Sequence, residues 1–89
     1  MVNNRRSELE IMSKILVLSR KGAKKTELLY QGNLSYSQLK NYLSFLLEKN
    51  LLEENIVRNN GSFGKFYKLT EKGLIFLKDA DKVLVYFTL

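Results

Sequence analysis

The sequence predicts a mainly α-helical fold with one small β-hairpin, and three observations carry that prediction. Apolar residues recur at helical spacing in four separate segments. Two of these segments open on a Ser followed three residues later by Glu or Gln, the capping-box signature of a helix start. Between the third and fourth segments, an Asn-Gly pair divides two short, loosely alternating runs, the strongest local signal for a hairpin.

The first helix is expected from Ser7 to Arg20, after a mobile N-terminus over residues 1–6. Leu9, Ile11, Met12, Ile15, Leu16 and Leu18 supply its apolar stripe, Ser7 and Glu10 its capping box, and Gly22 its stop. A second, shorter helix covers Lys24 to Gln31 and buries Leu28 and Leu29, and Gly32-Asn33 ends it. Ser35 and Gln38 box the third helix, in which Leu39, Tyr42, Leu43, Leu46 and Leu47 form one wide apolar face. Leu34, just before the cap, is placed to pack on Leu39 as a hydrophobic staple. Asn50 closes this helix in the left-handed conformation that Asn tolerates. A tight turn between a short second helix and a longer third one is helix-turn-helix geometry. Leu51–Asn59 and Lys65–Leu69 then read as strands around the polar tip NNGSFG. Thr70 caps a last helix over residues 70–89, with Leu74, Leu77 and Leu84 on one face. Three helices, a two-stranded wing and a C-terminal helix make a winged helix-turn-helix in a single domain, residues 1–89.

Composition narrows the chemistry. The chain has no Cys or His, which removes thiol nucleophiles, imidazole bases, disulfides and the usual zinc sites together. Glu53-Glu54 and Asp79/Asp81 are neighbouring carboxylates that read as surface charge rather than an acid/base pair, and no glycine-rich phosphate loop is present. No enzyme activity, metal, cofactor or small-molecule ligand is expected. No apolar run approaches the roughly 20 residues of a membrane span, so the expectation is a cytoplasmic protein that does not engage a membrane. Net charge is +6, and residues 1–47 hold eight Lys or Arg against three Glu. A basic excess concentrated in one half suits an anionic partner.

The runs KKTELLYQGNLSYSQLKNYLSFLLEKNLLE and YKLTEKGLIFL resemble the archaeal winged-helix DNA-binding proteins, small chromosomal or regulatory proteins whose last helix pairs with a second subunit. The matching positions include Lys25-Thr26, Tyr30, Leu34-Ser35-Tyr36, Gln38-Leu39, Tyr42-Leu43, Leu46, Leu51-Leu52, Tyr67, Leu69-Thr70 and Lys72-Gly73. Their order and spacing cover roughly residues 7–78. Asn50 stands where that family usually has Gly, and the last helix is shorter than the long coiled coil of some relatives.

By pattern and by this resemblance, the third helix is the recognition helix. Its polar face carries Ser37, Gln38, Lys40, Asn41 and Ser44, with Tyr36 at its start and no carboxylate before Glu48. Asn and Gln can bond adenine bidentately, Lys can reach guanine, and short Ser side chains permit close approach. A plain solvated helix face is the competing reading. The wing offers Arg58, Asn60, Ser62 and Lys65 to phosphates or a minor groove, against the reading of an ordinary polar turn. Phe63, at the expected tip, either folds back over the strands or stays exposed as an apolar contact. Lys24 and Lys25 sit at the start of the second helix, where the dipole disfavours positive charge, so a phosphate partner there gains weight. Arg5 and Arg6 could do the same. The uncharged tail VLVYFTL, with Leu77, Val83, Leu84, Tyr86 and Phe87, suits a homodimer contact through the C-terminal helix.

The expected function is therefore non-enzymatic binding of double-stranded DNA, as a transcription regulator or chromatin-associated protein. The alternative is a winged-helix module for protein–protein interaction, since fold alone does not settle function.

Overall fold

The computed structural model describes residues 4–87 and sets the elements in the predicted order: α1 (Asn4–Leu18), α2 (Lys25–Gly32), α3 (Tyr36–Glu48), β1 (Leu52–Asn59), β2 (Ser62–Leu69) and α4 (Glu71–Leu84), with a 3-10 turn over Val85–Phe87. Two boundaries differ from expectation at the first helix. It already runs at Asn4, so Ser7 lies within its first turns and residues 4–6 belong to the helix. Arg5, Arg6 and Glu8 are good helix formers and nothing near Ser7 interrupts them. Met1–Asn3 and the side chains of Arg5 and Arg6 fall outside the described residues. At its other end α1 stops at Leu18, and Gly22 takes the left-handed φ of 97° that a side chain would resist.

The turns at the two ends of α3 follow the local chemistry closely. Asn33 (φ 53°) closes α2, and Leu34 N–H bonds back to Leu29 C=O at 3.2 Å. Ser35 Oγ then accepts from Gln38 N–H at 3.2 Å while Gln38 Oε1 accepts from Ser35 N–H at 3.0 Å, the reciprocal box expected from sequence. Leu34 packs against the core that contains Leu39. At the far end of α3, Asn50 adopts φ 61°, with Asn50 N–H on Leu47 C=O (3.1 Å) and Leu51 N–H on Leu46 C=O (2.9 Å). That is a Schellman closure with Asn in the glycine position.

The hairpin is longer than expected. β1 and β2 pair antiparallel from Leu52↔Leu69 to Asn59↔Ser62, which leaves only Asn60-Gly61 as the turn. Their φ values of 52° and 81° fit the type I′ turn that twists with its strands. Ser62, Phe63 and Gly64 are therefore strand residues. Sequence alone placed them in the loop because Gly inside a strand reads as a break.

A connection with no periodic signature ties the wing to the body. Ala23 and Tyr67 exchange both backbone hydrogen bonds, each 2.9 Å, and Leu69 N–H bonds Ser19 C=O at 2.9 Å. Around it lies the core: Ile15 and Leu16 of α1, Leu28 of α2, Leu39, Leu43 and Leu46 of α3, then Leu51, Leu52, Tyr67 and Leu77. Each fully buried Leu or Ile there contributes about 1.5–3 kcal/mol.

Thr70 joins the two halves of the chain. Its Oγ1 accepts from Gly73 N–H at 2.9 Å, capping α4, and its hydroxyl donates to Asn50 C=O at 2.7 Å, two residues past α3. Thr70→Val keeps the shape and loses both bonds. It is expected to cost about 1–2 kcal/mol, read as a fall in Tm of roughly 5–15 °C by circular dichroism.

The last helix ends at Leu84 instead of running through the tail, where β-branched and aromatic residues are weak helix formers. Leu77 is 3% exposed and belongs to the core of its own chain, so it is not available to a partner subunit. Leu84 is half-buried, whereas Val83, Val85, Tyr86 and Phe87 are exposed. Thr88 and Leu89 lie outside the described residues. No helix among the described residues is long and apolar enough to cross a membrane.

Candidate nucleic-acid interface

The polar side of α3 faces outward along its whole length. Ser37, Asn41 and Ser44, with Glu48 in the last turn, lie opposite the buried line of Leu39, Leu43 and Leu46, and all are exposed. Tyr36, Gln38 and Lys40 are exposed beside them. Nothing in the described chain packs over this face.

The individual side chains divide by what else they do. Gln38 is committed through Oε1 to its cap, and it leans with Asn41 into an open groove shared with Glu8 and Met12 of α1 and Tyr42 and Phe45 of α3, about 400 Å³ in volume. Burial and then the Glu8 charge push the Tyr42 hydroxyl above its ordinary pKa, so it stays neutral there. Ser37, Asn41 and Ser44 make no backbone contact that would hold them back from a ligand's surface. Asn41 is the central residue of the face. Phe45 was not singled out from sequence; it is exposed on the same flank as Asn41, with the Lys49 ammonium 5.8 Å from its ring. Its signal was available, because Phe45 falls outside the apolar spacing of its helix.

Lys24 and Lys25 are brought to this surface by the Ala23–Tyr67 bridge, which sets the start of α2 against the wing root. Lys24 lies 5.8 Å from the Phe66 ring centre on β2 and Lys25 lies 5.2 Å from that of Tyr36 on α3. Cations over aromatic faces at these distances are attracted by about 0.5–1 kcal/mol at exposed sites. The two lysines thus stand at a junction of α2, α3 and the wing. The cost of cations at a helix start is met locally, since the Glu27 carboxylate accepts from Lys24 N–H at 2.8 Å.

At the wing root, Tyr67 is buried and stands opposite the Glu54 carboxylate in the strand register. Burial first, and that carboxylate second, push its pKa up to about 12. Beside it, Glu53 stands opposite Lys68 and accepts from Asn55 Nδ2 at 3.4 Å. The acidic stretch thus lies at the root and does not reach the distal wing. Further out, Arg58 pairs with Phe63 and Lys65 with Ile56, all four exposed, while Asn60 forms the turn and Ser62 opens β2. Phe63 does not fold back over the strands; it is 69% exposed. The two lysines thus link the start of α3 to β2 near the wing root. The C-terminal set of Val83, Tyr86 and Phe87 forms a separate apolar surface.

The whole-chain comparisons agree with this architecture. Residues 5–85 match the model of the winged helix-turn-helix family. Comparison with curated proteins gives no match. Among solved structures, smu.1704 from Streptococcus mutans UA159 superposes with a TM-score of 0.81 at 21% identity, covering 91% of this chain and 81% of that one. A PadR family transcription regulator from Clostridium difficile R20291 gives a TM-score of 0.78 at 21% identity, covering 88% and 90%. Sso10a-2, a DNA-binding protein from Sulfolobus solfataricus, gives 0.73 at 26% identity, covering 90% and 80%, in line with the archaeal resemblance drawn from the sequence. With a family model matched over nearly its whole length, and with the three-helix body, Asn-Gly wing and capped last helix in place, this chain belongs to the winged helix-turn-helix family.

Proposed function

We infer that this chain is a non-enzymatic, double-stranded DNA-binding protein that acts as a transcription regulator or a chromatin-associated protein. One observation carries the reading: an outward-facing α3 surface of Ser37, Asn41 and Ser44, without a carboxylate before Glu48, flanked by Lys24, Lys25 and Lys40. A solvated helix face is ordinarily laced with Glu–Lys pairs. This one is shaped for close approach to a polyanion. α3 enters the major groove, about 12 Å wide, and the lysines and the wing hold phosphates on either side. The likeness to a PadR family transcription regulator and to the DNA-binding protein Sso10a-2 supports the same reading.

A second copy completes the assembly. Val83, Val85, Tyr86 and Phe87 leave one apolar surface at the end of α4, and a two-fold contact there would hide it. A palindrome reader of this kind would present its two α3 helices about 34–36 Å apart. Sedimentation at micromolar concentration is expected to give the dimer, and a strict monomer would remove this part.

The test of the main reading is duplex binding measured by fluorescence anisotropy across a salt series. Affinity is expected to fall steeply with salt. Lys40→Ala should weaken binding uniformly and reduce the salt slope by about 1, whereas Asn41→Ala should lose about 1–3 kcal/mol of preference at one base position and keep the slope. If wild type and both variants bind alike at every salt, α3 is not the contact.

A further inference from the structure

The distal wing carries a patch that phosphate contact does not explain. By the strand register, Arg58 stands directly opposite Phe63 and Ile56 directly opposite Lys65, and the two pairs share one face of the ribbon. On that face Phe63 and Ile56 are diagonal neighbours, as are Arg58 and Lys65. The result is an apolar diagonal crossed by a cationic one. Phe63 is 69% exposed and Ile56 59%, so their proximity does not hide them from water. The same face at the wing root points Leu52 and Tyr67 into the core, which makes the patch an extension of the inner side of the wing beyond the body. Phe63 lies four positions out from Tyr67, a reach of about 13 Å at ~3.3 Å per residue.

We propose that Phe63, backed by Ile56, is an apolar wedge that enters the minor groove and partly unstacks a base step, bending the duplex, while Arg58 and Lys65 take the flanking phosphates. This rests on the DNA-binding reading and adds to it a deformation of the DNA. Charge complementarity selects the occupant. Residues 55–66 hold two cations and no carboxylate. Glu54, the nearest acid on that face, stands back at the wing root opposite Tyr67. A minor groove about 6 Å wide and 7.5 Å deep accepts a side chain presented on an overhanging ribbon. Inserted Phe and Ile side chains are the means by which minor-groove proteins kink DNA. Without a partner, an exposed Phe on a two-stranded ribbon gains nothing for the fold.

Energy transfer between dyes at the two ends of an about 30-base-pair mixed-sequence duplex rich in easily kinked TA steps reads the bend directly. Saturating full-length protein at low salt is expected to shorten the end-to-end distance by a kink of roughly 20–90°. Phe63→Ser should still bind, within about tenfold of wild type, and leave the duplex nearly straight. Phe63→Leu, which keeps an apolar wedge, should retain most of the bend, and Ile75→Ser, an exposed apolar residue far from the wing on α4, should retain all of it. A duplex that is bound but straight with wild type, or bent equally by Phe63→Ser, overturns the wedge and leaves DNA binding standing. Failure of the wild type to bind the duplex at low salt overturns the wedge and the DNA reading together.

Discussion

Ser37→Glu is expected to abolish useful DNA binding while leaving the protein at least as stable as before. Ser37 is the second residue of α3, following the Ser35 cap and Tyr36. A carboxylate in the first turn of a helix is favoured by the exposed N–H groups and the dipole by about 0.3–1 kcal/mol. Ser37 is exposed, so the longer side chain meets no neighbour on folding. In the complex, however, the charge would stand within about 5 Å of phosphate or of base acceptors, where repulsion at an effective dielectric near 20 is about 3 kcal/mol. That corresponds to a loss in affinity of roughly 100-fold. The pair of measurements is a Tm and a duplex Kd at low salt. Opposed movements, Tm held or raised and Kd lost, locate the contact on the first turn of α3. A parallel loss of both would mean that the face is built into the fold, and an unchanged Kd would remove the first turn from the interface. Because the substitution favours the helix, misfolding cannot stand in for the result.

That prediction was legible in the sequence because the features behind it are local. Ser35 and Gln38 state a cap, Asn50 states a left-handed closure, and the leucines of α3 state a face; each depends on residues within one or two turns. Asn60-Gly61 stated the hairpin for the same reason, although the strand after it was read three residues short because of Gly64. What the sequence could not show depends on residues distant along the chain. The Ala23–Tyr67 bridge is a single pair of hydrogen bonds across about half the chain, and it brings Lys24 to Phe66. Lys25 over Tyr36 likewise follows from the packing of α2 on α3. Leu77 and Val83 share an apolar segment, and only the seat of α4 against α1 decides that Leu77 is core and Val83 surface. Sorting core from contact in a short amphipathic helix requires knowing where its neighbours are. The charge pattern survived this loss of long-range information because exposed groups need few neighbours to be placed.

Gly73→Ala is expected to be the most destabilising single methyl group in the chain. Gly73 is the third residue of α4, and its N–H is held by Thr70 Oγ1 at 2.9 Å. A Cβ built there would drive into the Leu51 carbonyl and approach within 2.7 Å of Leu69 Cδ1. The carbonyl belongs to the residue that closes α3 and is itself bonded by Thr70 N–H at 3.3 Å, so neither side of the contact can give without breaking a joint. In an unobstructed helix this change would gain about 0.5–1 kcal/mol from backbone entropy and propensity. Here the sign reverses. Overpacking of this kind costs about 1–3 kcal/mol and occasionally more, and the rigidity of the α3–α4 joint places the effect at about 3 kcal/mol, a fall in Tm of roughly 12–24 °C for a domain of this size. Gly64→Ala is the control, since a Cβ there meets nothing within 4 Å and its φ is ordinary, so Tm should stay within a few degrees. The two variants add the same atom to the same residue type, and only one of them stands where the last helix meets the end of the third. Equal melting by both would mean that α4 is not seated on Leu51, and the apolar surface at its end would then have no fixed place from which to pair with a second copy.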